Sequence, residues 1–375
     1  MTMGRLILSW LVIDTTDSPI LLGVNLAARF APMTLGIFFG TIIDRVSRRK
    51  LLLVIQSMYL ITDLILGLLV TFGQLQFWHT IVVSLIYGTG SALGMPARSV
   101  LMMDIIGHSS LANATALTRI AMTGMGFVGP AVVAMLVDVI GIGPFYFLMV
   151  VIYALQITSI YSIQAKETEV SRSESAWKNL VQGLQYHRRR RDIASLQLIA
   201  LIANMFIFPM VPDLLVPIMA KDILRVGASG YGWLSAAKSL GHLAGSFCVL
   251  ALGSIRRKGL LTVVNSLFWG PVLWLFSSST IYPLSLSVMF SLGVIVTLSM
   301  TFVEVLLLAN SPPQMRGRVM GVRMQVITCE FLGNLVWGPA LSIINPVLAG
   351  QINSVLFTLA MIGIILWAPS LKRME

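Results

Sequence analysis

Seven ionisable residues, Arg5, Arg29, Asp63, Asp213, Lys238, Glu304 and Glu330, stand inside long apolar stretches of a 375-residue chain. Charge at membrane depth is costly unless it is paired, faces a cavity or exchanges a proton, so each is a candidate for binding or proton transfer. Arg29 and Asp63 fall near the middle of consecutive apolar stretches, where they would neutralise one another or form a proton site. Lys238, with His242 one helical turn on, would pair with Glu330 or Glu304. Arg5 and Asp213 lie 208 positions apart, a spacing that recurs elsewhere in the chain.

The elements that position these groups are expected to be helices. The chain is 57% hydrophobic and 11% charged, against roughly 25% charged in soluble domains, which makes it an all-α polytopic membrane protein. A spanning helix needs about 20 apolar residues. Such runs occur near 20–43, 51–72, 79–103, 113–138 and 143–164, and again near 193–219, 229–253, 260–278, 283–309, 319–343 and 348–368. The expected organisation is a helical unit over 1–164, a polar linker over 165–192 and a second unit over 193–375. In the linker, Trp177, Leu180, Val181 and Leu184 share one helical face, as in an interfacial amphipathic helix.

Arg48-Arg49-Lys50 returns as Arg256-Arg257-Lys258 after 208 positions, and Gly129-Pro130-Ala131 returns as Gly338-Pro339-Ala340 after 209. The shared offset reads as a tandem duplication, two six-helix pseudo-repeats in which Arg5 matches Asp213 and Arg29 matches Lys238. By that register the first helix, with only residues 3–13 apolar, is expected to lack about fifteen residues, through a misassigned start or a truncation, the alternative being a natural half-helix.

The net charge of +11 is concentrated between apolar runs. Arg45 to Lys50, the linker, Arg256 to Lys258, Arg316 with Arg318, and Lys372 with Arg373 share one side, leaving Lys221 and Arg225 on the other. The positive side is expected to be cytoplasmic, and the basic surplus is a topological signal rather than a nucleic-acid footprint. Cys248 and Cys329 lie in apolar runs and imply no disulfide. The four histidines lack metal-ligand spacing and no phosphate-binding glycine loop is present, so neither cofactor nor enzyme chemistry is expected.

Gly40-x-x-x-Asp44-Arg45-x-x-Arg48-Arg49-Lys50, with the six-plus-six pattern and basic linker, resembles the major facilitator superfamily over essentially the whole chain. Ser47 departs from the glycine usual there. The resemblance implies a major facilitator fold and a conformational latch. Asp44 would engage Arg45 or Arg48, or Arg316, Arg318 and Arg323 in the second unit, with Asp104 as acidic neighbour. Gly124-x-Gly126-x-x-Gly129-Pro130 is similar to the glycine-proline motif of the superfamily's exporters, although Val133-Ala134 replaces the terminal glycine pair. Its repetition at Gly338-Pro339 also admits a helix-packing role. Asn113 to Gly126, the Arg316 to Gly321 turn and Asp14 to Pro19 resemble the branch of enterobactin exporters and macrolide efflux pumps.

That branch implies a monomeric secondary transporter in a bacterial inner membrane, exporting hydrophobic drugs, macrolides or siderophore-like compounds against protons. Its linker and C-terminus would be cytoplasmic. An uptake permease for a small metabolite and a non-transporting truncated fragment are the alternatives. Because helices one and seven meet at the outer end of the cavity in this superfamily, Arg5 and Asp213 would pair and close it. Glu304 and Asp213 are the favoured proton carboxylates. Asp63 ranks lower because helix three is usually peripheral.

Overall fold

The computed structural model describes residues 2–36, 39, 46–106, 111–163, 176–252 and 257–374. Six helices precede a linker helix and six follow it, among the described residues. The first set is α1 (Thr2–Thr16), α2 (Pro19–Thr34), α3 (Arg48–Thr71), α4 (Phe77–Ile106), α5 (Leu111–Ile140) and α6 (Ile142–Ser162). The linker helix is α7 (Ala176–Arg189). The second set is α8 (191–223), α9 (Gly227–Leu252), α10 (Lys258–Ser278), α11 (Tyr282–Ala309), α12 (Pro313–Ile343) and α13 (Pro346–Trp367). Nine of the described helices are long and apolar enough to cross a membrane.

Local chemistry sets the helix starts. Ser18 caps α2, its hydroxyl accepting from the Leu21 amide at 3.4 Å, and Pro19 follows with its φ already helical. Ser47 caps α3 by accepting from the Lys50 amide at 3.3 Å. The residue that departs from the superfamily pattern is therefore an N-cap, a role in which serine outperforms glycine. Asn345 does the same for α13, accepting from the Val347 amide at 2.8 Å.

Three helices are interrupted, one of them α12, where Cys329 separates Pro313–Thr328 from Glu330–Ile343. In α10 the turn at Phe268 separates Lys258–Leu267 from Trp269–Ser278, because Pro271 cannot donate to the Leu267 carbonyl and crowds it. In α8, π-helical turns at Ala203–Ile207, Met210–Leu215 and Met219–Ile223 surround prolines 209, 212 and 217. Wide turns of this kind often mark functional positions.

The two sets meet where α2 packs on α12, α5 on α9 and α1 on α8. At the α2/α12 crossing a Cβ built on Gly23 would lie 2.7 Å from the Gly338 Cα. Both positions therefore exclude a side chain, and the packing reading of Gly338 agrees with this geometry. Pro339 follows inside the same helix. Gly126 does not behave this way: nothing lies within 4 Å of its Cβ direction, although Gly129 and Pro130 are buried. Spacing alone could not say which face of α5 meets a neighbour.

The linker helix is amphipathic, as expected, and one of its faces docks on α12. Gly183 packs against the Arg318 carbonyl of α12, and His187 is buried beside it, while Leu184 is 51% exposed. Docking onto α12 uses the glycine face, so Leu184 is not on the buried stripe. The His187 ring meets the Gly183 carbonyl at 2.6 Å, and burial holds its pKa below the ordinary value.

Candidate functional site

A cavity of about 1470 Å³ lies between the two sets of helices. It is lined by the ends of α2, α4, α5, α9 and α12 that adjoin the cation-rich segments, here termed the basic end. Its wall carries Met33, Met95, Met102, Met122 and Met324, with Arg98 and Arg318 among the lining groups. Methionines give an apolar surface that adapts to ligand shape, and the guanidiniums supply planar donors for an acid group.

Next to this wall stands a layer of charge: Arg29 lies four residues from Met33 on α2, Lys238 five from Leu243 on α9, and Glu330 two from Thr328 on α12. Arg29 and Glu330 are buried and Lys238 is half-buried. From the opposite helices, Arg5 of α1 meets Asp213 of α8 at 3.4 Å. Asp213 is 2% exposed and Glu330 8%. The charge of Glu330 interacts with those of Asp213, Arg5, Lys238 and Arg29, so five groups from five helices form one electrostatic unit. The Arg5–Asp213 pairing inferred from the repeat offset is thus present in the geometry.

Other expected pairings are replaced. Arg29 and Asp63 form no direct ion pair among the described residues, because Tyr87 of α4 stands between them. Its hydroxyl donates to Asp63, and the Arg29 guanidinium lies 5.2 Å from its ring centroid. His242 meets the Thr297 hydroxyl at 2.8 Å rather than a carboxylate. Glu304 interacts with Arg323 near the basic end of α11, away from Lys238, because its position places it only five residues before Ala309.

Beyond the charge layer the helices close together. Trp10 of α1 stacks on Tyr231 of α9 with centroids 6.1 Å apart, and Ser229 of α9 donates to the Ala134 carbonyl of α5 at 2.7 Å. At the far end, Lys221 of α8 donates to the Ile13 carbonyl at 3.0 Å and to Asp17 at 2.5 Å, with Asp14 at 3.8 Å. A cation on the last carbonyls of α1 complements that helix terminus. The sequence had marked Lys221 only as an outlying cation, and nothing in it pointed to Arg98 or Tyr87.

Gly40, Asp44 and Arg45 of the loop motif lie outside the described residues, as does the side chain of Asp104 on α4. Arg48 is buried at the start of α3. Arg49 donates to the Ile160 carbonyl at 3.3 Å and to that of Tyr161, closing the end of α6, while Lys50 is exposed. Across the cavity, Arg316 caps α11 through the Leu308 and Ser311 carbonyls at 3.1 and 3.3 Å. Arg318 approaches the Met315 sulfur at 3.4 Å.

Residues 2–375 match the sequence profile of a family described as transmembrane secretion effector. The chain belongs to this family, within the major facilitator superfamily. It is a multi-pass membrane transporter. The enterobactin exporter EntS of Shigella boydii serotype 18 (strain CDC 3083-94 / BS512) is 22% identical over 353 residues, covering 94% of this chain and 83% of that protein. The staphyloferrin A transporter of Staphylococcus aureus (strain NCTC 8325 / PS 47) is 22% identical over 195 residues, 51% of this chain and 49% of that one. Among solved structures, the nucleoside transporter NupG superposes with a TM-score of 0.72 at 11% identity, covering 100% of this chain and 98% of NupG. A bacterial homologue of the human lysosomal transporter Spinster, inward-facing and unoccupied, gives 0.68 at 13%, covering 99% and 93%. These likenesses establish the all-helical major facilitator fold.

Proposed function

We propose that this transporter exports bulky, largely apolar compounds that carry acid groups, siderophore-like in kind, from a bacterial cytoplasm against entering protons. The observation that carries the reading is the methionine-lined cavity with Arg98 and Arg318 in its wall. The exporter and transporter relatives point the same way. In this reading the basic end, linker and C-terminus are cytoplasmic in accord with the positive-inside rule, and the cavity faces the cytoplasm.

The mechanism is alternating access, with 1–164 and 193–375 rocking about the charge layer. Substrate enters from the basic end, and its acid group binds at the cavity wall that carries Arg98 and Arg318. Opening the far end requires parting Arg5 from Asp213 and Lys221 from α1. Protonation of Asp213 weakens the first of these contacts, because a neutral carboxyl holds a guanidinium less strongly. Glu304 ranks below Asp213 as a proton carboxylate because it lies toward the basic end of α11, where its charge interacts with that of Arg323. In the outward-open state Asp44 latches the basic end.

A second reading, uptake of a small organic anion, draws on the cations Arg5, Arg29 and Lys238 in the charge layer. Everted vesicles containing the transporter separate the two. Accumulation of enterobactin, staphyloferrin A, a macrolide or a dye that collapses with the proton gradient supports export. Gradient-independent movement of all of them removes the antiport claim.

A further inference from the structure

Inside the first set of helices lies a polar cluster that the cavity does not reach. Asp63 of α3 is fully buried and accepts the Tyr87 hydroxyl on Oδ1, while its Oδ2 has no hydrogen-bond partner. The hydroxyls of Tyr146 and Tyr153 on α6 are likewise buried and unpartnered. Both interact with the Asp63 charge. Tyr59, on the same helix as Asp63, packs edge-on to Tyr87 at 5.3 Å and donates to the Tyr87 carbonyl at 3.3 Å. On the far side of the Tyr87 ring, Arg29 keeps Nη1 without a partner and interacts with Arg5 and Asp213.

Glycines fix this arrangement. A Cβ on Gly88 would lie 2.0 Å from the Arg29 carbonyl, and one on Gly90 would lie 2.3 Å from the Tyr59 hydroxyl oxygen. Backbone approach this close holds α2, α3 and α4 in one register, so Tyr87 stays wedged between carboxyl and guanidinium.

A tyrosine hydroxyl both donates and accepts, so it can meet Oδ2 in either protonation state. What favours the proton is burial: Asp63 is 0% exposed and, among the described residues, has no cation in direct contact, and a sealed, unpaired carboxylate charge is costly. Leaving a buried polar atom unmatched is costly. The charged and titratable groups facing Asp63 among the described residues are Tyr87 of α4, Tyr146 and Tyr153 of α6, Tyr59 of its own helix and Arg29 of α2 beyond the ring.

We infer that Asp63 is a proton-binding site whose occupancy is relayed through Tyr87 to Arg29, and so to the Arg5–Asp213 contact between the two sets of helices. This deepens the proton-driven reading given above and rests on it. A proton from water on the outer side forms an O–H bond at Oδ2 and cancels the carboxylate charge. Arg29 is then held less by Asp63 and competes with Arg5 for Asp213. Release of the proton to cytoplasmic water restores the carboxylate and draws Arg29 back.

The test needs no substrate, so its failure is distinct from failure of the transport reading. Infrared difference spectra of the purified full-length transporter in lipid are recorded across a pH jump, with the proton as the only probe. A carboxylic C=O band should appear on acidification, vanish in Asp63→Asn, and persist in Glu330→Gln. Tyr87→Phe, which keeps the ring, should move that band to higher frequency and shift its titration midpoint. A band unchanged in Asp63→Asn overturns the inference. If that variant does not fold, an unmoved band and midpoint in Tyr87→Phe overturn it equally.

Discussion

The Arg5 guanidinium and the Asp213 carboxylate meet at 3.4 Å between α1 and α8, joining helices from opposite sides of the linker. Asp213 is almost fully buried, whereas the Arg5 side chain retains 34% exposure. Removing Arg5 takes the nearest cation from the buried Asp213 carboxylate, a loss that reaches about 3–5 kcal/mol where no other cation compensates; here Arg29 and Lys238 offset part of it. In the proposed cycle this contact breaks as the far end opens, and a contact whose loss is costly suits a two-state gate.

Lys221 makes a second contact between α1 and α8, at the far end. In Lys221→Met the last turn of α1 loses a cation worth about 0.3–1 kcal/mol at a helix C-terminus. Amide hydrogen exchange of residues 12–17 should accelerate by about two- to fivefold. Unchanged exchange there would show that the clamp contributes nothing to closure.

The glycines of the two related motifs should respond oppositely. Gly338→Leu places a side chain where a Cβ already lies 2.8 Å from the Gly23 Cα, so overpacking should lower thermal stability and abolish transport. Gly126→Ala meets open space and should leave melting within about 0.5 kcal/mol of the parent. A thermal melt in detergent compares them directly.

Ser47 should act as a helix cap. Ser47→Ala removes the acceptor for the Lys50 amide and should cost about 1 kcal/mol, whereas Ser47→Gly should cost only a few tenths. Equal melting shifts for the two would contradict the capping assignment.

For the loop that precedes it, Asp44→Asn should impair transport while membrane insertion, read by fractionation and melting, stays intact. Only the first repeat carries a carboxylate at this position, since Leu252 stands at the matching place. Normal transport in Asp44→Asn would remove the latch.

Hydropathy made the helices legible, because every spanning segment must satisfy its backbone internally and so be long and apolar. The Arg5–Asp213 contact was legible through the 208-residue offset, since duplication places counterpart residues at equal depth. Tyr87 was not legible: a tyrosine in an apolar run reads as packing, and only three-dimensional register sets its hydroxyl on Asp63. Lys221 was missed because a loop cation carries a topological meaning that masks a capping one. The idle faces of Gly124 and Gly126 show the same limit, as periodicity gives a shared face without naming its neighbour.

Reversing the Arg5–Asp213 pair tests the gate most directly. In everted vesicles supplied with a proton gradient, Arg5→Asp and Asp213→Arg should each abolish substrate accumulation, and the double reversal should restore a measurable part of it. Two inactive single variants with an equally inactive but correctly inserted double variant would contradict the pairing as the element that closes the far end.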